Sequence, residues 1–467
     1  KYKVLLDYVN VAVHNKRGES MKKICIVRLD SGNYGGIEHQ VVRIATQLIA
    51  RGYKVYLITS NNNSIMSQKI ISLGGEVHIV DFSNLFKAGK SIAAYIKRNN
   101  IDVLQAHMYR ESIACRYARI YCKNIIHIYR VHTYIDCARI SNLKKIMYHI
   151  LDFITQGFVD YYVSINKFNV EELINRSKIK NKKIRIINNI IVPIGVPDDL
   201  ELRDWPSLSI AMVSNFVEGK GHDVLIEAIR ILKERGIILK VKLIVGEANN
   251  IKYITKKYSN YTKELNILDQ LILTGFTENV YEELIGYPIV ILPSYSEGTP
   301  NCLLEAMSLK KIIIASNVGG IPEFIKDKEN GFLYFPNNAS ILADKIMEVC
   351  NLTRKEMEDI SKKSYITAQE YISQDIVGKF LSLVLAAYYC RDIVFHKISS
   401  FYFSIGEALE NIKAGIKLMF ATISSNLIIG IIRFGIERVW GVSTFGKVSF
   451  TLSVSNLLMT FINAISL

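Results

Sequence analysis

A chain of 467 residues is longer than one ordinary domain and points to two or three. With 49% hydrophobic and 22% charged residues it has material for packed cores, which excludes a globally disordered chain. Lys and Arg number 58 against 43 Asp and Glu, and the resulting +15 fits an anionic partner: a membrane surface, a nucleic acid or a phosphorylated ligand.

Residues 1–20, KYKVLLDYVNVAVHNKRGES, lack a sustained apolar core, so no signal-peptide pattern is present, and they read as a leader without a clear domain role. Met21 opens the strand-like KICIVRL (Lys23–Leu29), followed by the loop DSGNYGG and a helix from Ile37 to Arg51. YKVYLITS, EVHIVDF, the helical GKSIAAYIKRNN, IDVLQAH, IIHIYRVH and YYVSIN continue the alternation through a first domain, 21–195. Short β-rich runs spaced by helical segments predict βα units and a parallel sheet covered on both faces. The stretch IVPIGVPDDLELRDWPSL (Ile191–Leu208) holds three prolines and several acids and reads as a hinge, with 196–208 as the linker. The series then restarts over 209–389 with SIAMVSN, a helix from His222 to Arg235, LKVKLIVG, LILTGF, PIVILPS, KIIIAS and NGFLYF. Two α/β halves joined by a hinge leave a cleft, and in such sheets ligands bind beyond the carboxyl ends of the strands. The seven cysteines (Cys25, Cys115, Cys122, Cys137, Cys302, Cys350 and Cys390) are scattered without a CxxC pair. That predicts a reduced, cytoplasmic protein without structural zinc.

One stretch at a strand end carries the most chemistry: SYSEGTPNCLLEAMSLKKIIIAS, Ser294 to Ser316. Tyr295 to Gly298 form the loop leaving the strand PIVILPS. Thr299 suits the N-cap of the helix that follows and Pro300 its first position, where a missing N–H costs nothing. The first amides of that helix and its positive dipole end make a seat for a phosphate. Glu297 in the loop and Glu305 in the helix, with seven residues between them, approach such a ligand from different sides, and carboxylates accept well from paired sugar hydroxyls. A capped surface helix with two solvated glutamates would show the same spacing.

The order of motifs adds specificity. GFTENVYEELIGYPIVILPSYSEGTPNCLLEAMSLKKIIIASNVGGIPEFI (Gly275–Ile325) resembles the donor-binding region of family-4 retaining glycosyltransferases, with its E-x7-E motif, buried strand and xxGGxPExI. GGIE (Gly35–Glu38) resembles that family's N-domain glycine loop, VSNFVEGKGHDVLIEAI (Val213–Ile229) the first unit of its C-domain, and NGFLY (Asn330–Tyr334) a late turn. The resemblance spans roughly Met21 to Tyr389. It implies a GT-B fold, two Rossmann-like parallel-sheet domains facing a cleft, to which this chain adds a hydrophobic helical C-terminal tail over 390–467. It also implies transfer of a sugar from a nucleotide-sugar to a lipid-linked or saccharide acceptor, with retention, in cell-surface polysaccharide assembly. Glu305 is similar to the glutamate that accepts the ribose hydroxyls, and Glu297 to the one that meets the donor sugar. Lys220 is similar to the lysine that neutralises the diphosphate, and Gly36, after Gly35, to a glycine whose backbone approaches it. Gly298, Thr299 and Pro300 fall in the same donor-binding loop. Asn215 departs from the pattern, since the family often has arginine there, so weaker diphosphate binding or compensation by another base is expected. No metal or other cofactor is implied, because no DxD-type pair ends a strand and no His/Cys cluster is present.

Two histidines end N-domain strands. His132 in YRVHTY resembles the family's cleft histidine near the donor sugar and is assigned a catalytic place beside Glu297 and Lys220. His107 in LQAHMYRES faces the same way and reads as structural. The basic NRSKIKNKKIRI (Asn175–Ile186) and KKIMYHILDFITQGF (Lys144–Phe158), which mixes bases with apolar residues, suit an anionic bilayer, although solvated lysines are the ordinary alternative. After Cys390 the composition shifts. Leu418 to Ile432 and Val448 to Leu467 carry no charge, and the second run has about the length needed to span a bilayer. Arg433–Leu458 resembles the N-terminus of polysaccharide flippases, which need many more spans. The expectation is a cytoplasmic enzyme, peripheral or tail-anchored at the inner face of the membrane. A GT-B nucleotide-sugar epimerase and a transferase–flippase junction product are the other readings. No Walker loop, helix-turn-helix signal or aromatic-interleaved basic repeat supports nucleic acid.

Overall fold

The computed structural model describes residues 23–384 except 31, 33, 134–140, 193–208, 218, 246–259, 275–276, 278–279 and 373–374. The leader 1–20, the linker 196–208 and the tail 390–467 lie outside the described residues. The chain divides into two units, Lys1–Tyr389 and Cys390–Leu467, and all that follows concerns the first.

Thirteen strands are described: β1 (Lys23–Val27), β2 (Lys54–Thr59), β3 (Glu76–Ile79), β4 (Val103–His107), β5 (Ile126–Val131), β6 (Tyr161–Ser164), β7 (Ile184–Ile186), β8 (Ser209–Ser214), β9 (Lys240–Val245), β10 (Leu271–Thr274), β11 (Ile289–Leu292), β12 (Ile312–Ser316) and β13 (Phe332–Tyr334). The first seven form one parallel sheet in the order β3-β2-β1-β4-β5-β6-β7, and the last six a second in the order β10-β9-β8-β11-β12-β13. The two orders are the same through six strands, so the sequence repeat is a structural repeat. In each sheet the order reverses once, between β1 and β4 and between β8 and β11. A doubly wound sheet opens a crevice at that point, because connections leave the two adjacent strands towards opposite faces.

Central strands such as β5, β11 and β12 are buried along their whole length, as near-continuous apolar runs predict for parallel strands covered on both sides. The helix Gly36–Ala50 buries Val41, Ile44, Ala45 and Leu48, one stripe at 3.6-residue spacing. Two details near the ends of the domains complete the fold. The basic run at 175–186 ends in the three-residue edge strand β7, too short to show an alternation. Residues 376–384 are helical and return to the first domain, where Ile376, Phe380 and Val384 pack with Ile24, Leu48 and Ile128. No helix among the described residues is long and apolar enough to cross a membrane.

Candidate active site

The loops that leave β1, β5, β8 and β11 converge on a cleft of about 660 Å³, within the range of small-molecule sites. Gly35, Gly36, His132, Asn215, Lys220, Glu297, Gly298, Thr299, Pro300 and Glu305, the ten residues singled out from sequence, all line it. The switch points explain this convergence, since each of these loops starts at or beside a strand where the order reverses.

The glycine loop is held by a buried charge network. Arg28 at the end of β1 meets Glu38 at 2.6 Å and Glu111 at 2.8 Å. The other oxygen of Glu38 accepts from the Gly35 amide at 3.1 Å. Glu38, the acid of GGIE, therefore fixes the loop, and the first amides of the helix after it are left without intrahelical partners. A side chain at Gly35 would come within 2.9 Å of Asn215 Nδ2 and would have to displace that amide where the two domains meet.

Across the cleft, neither glutamate is a solvated decoration. Glu297 is 8% exposed, and its Oε1 accepts from Lys220 Nζ at 2.7 Å and from Ser294 Oγ at 2.6 Å. Burial works against the Lys220 charge, but the Glu297 carboxylate prevails and raises its pKa, so the ammonium is charged at neutral pH. Gly319, at φ 55°, lets the following loop pass over Glu297: a Cβ there would lie 1.8 Å from the Glu297 carbonyl oxygen. Glu305 pairs with Arg43 Nη2 at 2.7 Å, and the same guanidinium donates to the Ile190 carbonyl at 2.9 Å. Arg43 was missed from sequence, although with Gly36 and His39 it lies on one face of a helix that starts at the glycine loop.

The expected capping of the donor-loop helix is corrected. The helix is Asn301–Ser308, and Pro300 occupies the N-cap position in an extended conformation, φ −71° and ψ 112°. Thr299 lies one residue before it. Its hydroxyl accepts from Asn166 Nδ2 of the first domain at 3.3 Å, and this bond across the cleft replaces the local cap. Asn189 Nδ2 likewise donates to Asn301 Oδ1 at 3.0 Å. The helix N-terminus still opens into the cleft, as the seat for a phosphate requires. Cys302 also lines the cleft, but burial pushes its thiol up to about 12, which removes it as a nucleophile.

His132 lines the cleft and His107 sits behind it, with His107 Nδ1 and His132 Nε2 2.9 Å apart. Both titrate well below the usual histidine range, burial first, with His132, Arg130 and Arg28 adding to it at His107 and Arg130 and Arg28 at His132, so both are neutral near pH 7. Elsewhere His222, bonded to Ser214, is lowered to about 4 and His127 to about 3, each mainly by burial. A depressed folded-state pKa contributes stability that is complete above the ordinary value of 6.5 and is lost as pH falls through the window down to about 4 and 3. The melting temperature should therefore fall as pH is lowered from 6.5 towards 4, and His127→Gln should flatten that slope. An unchanged slope in His127→Gln would show that His127 takes up no proton on unfolding. Among the described residues no group of three or more His, Cys, Asp or Glu is arranged to hold a metal ion.

Comparison with known proteins covers both walls of the cleft. Residues 34–193 match the family description Glycosyltransferase Family 4, and residues 206–367 match Glycosyl transferases group 1. An N,N'-diacetylbacillosaminyl-diphospho-undecaprenol alpha-1,3-N-acetylgalactosaminyltransferase of Campylobacter jejuni is 24% identical over 74% of this chain and 95% of its own length. An uncharacterized glycosyltransferase of Methanocaldococcus jannaschii is 27% identical over 68% of this chain and 85% of its own. The fold is shared with Anabaena HepE, solved in complex with UDP-glucose, at a TM-score of 0.66 with 16% identity, 78% of this chain and 100% of that one being covered. With the two sheets, the cleft between them and both family matches in register with it, this chain belongs to the family 4, group 1 type of glycosyltransferases and has their GT-B fold.

Proposed function

We propose that the cleft binds a nucleotide-sugar and passes its sugar, with retention of anomeric configuration, to a lipid-linked or saccharide acceptor in cell-surface polysaccharide assembly. The observation that carries this reading is the Lys220–Glu297 pair beside the open N-terminus of Asn301–Ser308. One positive side chain and a set of free amides face the place where a diphosphate would sit, and a carboxylate stands beside them to accept sugar hydroxyls. Relatives whose printed names specify diphospho-undecaprenol substrates, in Campylobacter jejuni and Escherichia coli, support the lipid-linked acceptor, and the UDP-glucose complex of a structural neighbour supports the donor class.

Glycosyl transfer develops positive charge at the anomeric carbon and negative charge on the departing phosphate. Lys220 and the helix amides stabilise that leaving group, and catalysis by such preorganised donors is worth most where charge grows. Arg43 holds one oxygen of Glu305 and leaves the other for ribose hydroxyls. His132, kept neutral, serves the donor sugar as a hydrogen-bonding group and not as a cation. Asn215 leaves the diphosphate with one base fewer than an arginine would supply. No step in this scheme calls on a metal.

Titrating a panel of UDP-, GDP- and ADP-sugars into the full chain tests the donor class, and one nucleotide should bind. Glu305→Ala should then weaken that binding about tenfold to a hundredfold, because a lost hydrogen bond to a charged group costs about 1.5–3 kcal/mol. Undiminished affinity in that variant would remove Glu305 from ribose recognition, and the absence of binding by any nucleotide-sugar would remove the proposal.

A further inference from the structure

The helix Asn142–Thr155 is amphipathic but mounted in the reverse of the usual sense. Its inward side is polar. The Tyr148 carbonyl accepts from Tyr109 Oη at 2.8 Å, His149 meets Ser177 Oγ at 3.0 Å, and Asp152 is buried against Arg116 at 2.5 Å. Its outward side is apolar. Leu143, Ile146, Met147, Ile150, Phe153 and Ile154 recur at helical spacing and are 53–78% exposed. A helix of a water-soluble domain normally turns such a stripe to the core, and a contiguous exposed stripe marks a partner.

Charge identifies the partner. From Leu173 to Ile187 the chain carries Arg176, Lys178, Lys180, Lys182, Lys183 and Arg185 and no acid. This segment is fastened to the helix: Ser177 Oγ donates to Asp152 Oδ2 at 3.3 Å, and Lys183 Nζ donates to the carbonyls of Gln156 and Val159 at 2.7 and 2.6 Å. Lys178, Lys180, Lys182 and Arg185 are exposed. Between Ser141 and Phe158 the sole acid is Asp152, which is buried, so the stripe and its flank present bases and no carboxylate. A second copy of this chain would bring two basic flanks together and repel.

We infer that this face docks onto an anionic lipid bilayer, the apolar stripe entering the headgroup–acyl boundary while the bases meet phosphate headgroups. The inference deepens the proposed function and rests on its membrane-borne acceptor. The helix begins ten residues after His132, a chain length of about 35 Å at most, so a docked face keeps the cleft within reach of an acceptor carried in that bilayer.

The test is deuterium uptake of the full chain with vesicles of phosphatidylcholine alone and of phosphatidylcholine with phosphatidylglycerol. Uptake over residues 142–155 should slow on the anionic vesicles only. Ile150→Asp with Ile154→Asp should abolish that slowing and lower affinity for the anionic vesicles at least tenfold, while the cooperative melt is retained. Lys178→Glu with Lys182→Glu should do the same through charge alone. Uptake over 142–155 that ignores vesicles, that slows with protein concentration in their absence, or that slows equally in the variants would overturn the inference. Titration of nucleotide-sugar in vesicle-free buffer reads the catalytic proposal separately, so either can fail without the other.

Discussion

Replacing Lys220 with alanine should lower turnover by roughly 10²- to 10³-fold, the usual cost of removing one preorganised group from the place where transition-state charge develops. The ammonium is 2.7 Å from Glu297 and remains charged at neutral pH, because the carboxylate outweighs the burial that opposes it. Its pKa is raised above the ordinary 10.5, so whatever stability the pair contributes is present throughout the neutral range and is lost only as pH rises past that value. The variant should therefore show no new pH dependence near neutrality. Because the phosphate gains negative charge as it leaves, turnover should suffer more than binding of the uncharged nucleoside part. The fold should survive, since Glu297 keeps Ser294 Oγ at 2.6 Å. Measuring turnover together with dissociation constants for the donor and the bare nucleoside decides the matter. Equal losses of the two ligands with turnover intact would refute the leaving-group role.

Asp152→Ala should destabilise the chain by about 3–5 kcal/mol, because it strands a buried guanidinium. Arg116 and Asp152 are 2% and 1% exposed at their side chains and lie 2.5 Å apart, an ion pair by distance more than an aligned hydrogen bond. Once the carboxylate is gone, Arg116 retains Thr155 Oγ1 at 2.7 Å and the rings of Tyr109, Tyr129 and Tyr162 between 5.7 and 5.9 Å away. Cation–π contacts of that kind are worth roughly 0.5–2 kcal/mol each and offset only part of the loss. Asp152→Asn, which restores an acceptor without the charge, should recover some of it. The denaturant midpoint reads both variants, and a midpoint unchanged in Asp152→Ala would mean that the inner face of Asn142–Thr155 is held by its other bonds.

Most of the candidate site was legible as positions and little of it as partnerships. Glu297 and Glu305 could be found because each stands at a fixed offset from a strand end or helix start, and such offsets are local, while Lys220 was found through the resemblance of its motif to a known family. Their partners could not. Lys220 and Glu297 are 77 residues apart, Arg43 and Glu305 are 262 apart, and no short-range pattern connects them. The capping of Asn301–Ser308 shows the same limit: Thr299 is a good cap by propensity, yet Asn166, 133 residues away, takes its hydroxyl.

By itself the sequence determined the alternation of strand and helix, its restart in the second half, and the loops that would carry the chemistry, because periodicity and turn residues act within a few positions. It also determined that residues 144–158 mix bases with an apolar stripe. Only the tertiary structure decided that the stripe faces outward. A helix turns to the core whichever side offers more binding there, and here Arg116, Tyr109 and Ser177 offered buried hydrogen bonds and charge to Asp152, Tyr148 and His149. A polar contact stranded inside costs more than an apolar stripe left exposed, and that difference set the orientation.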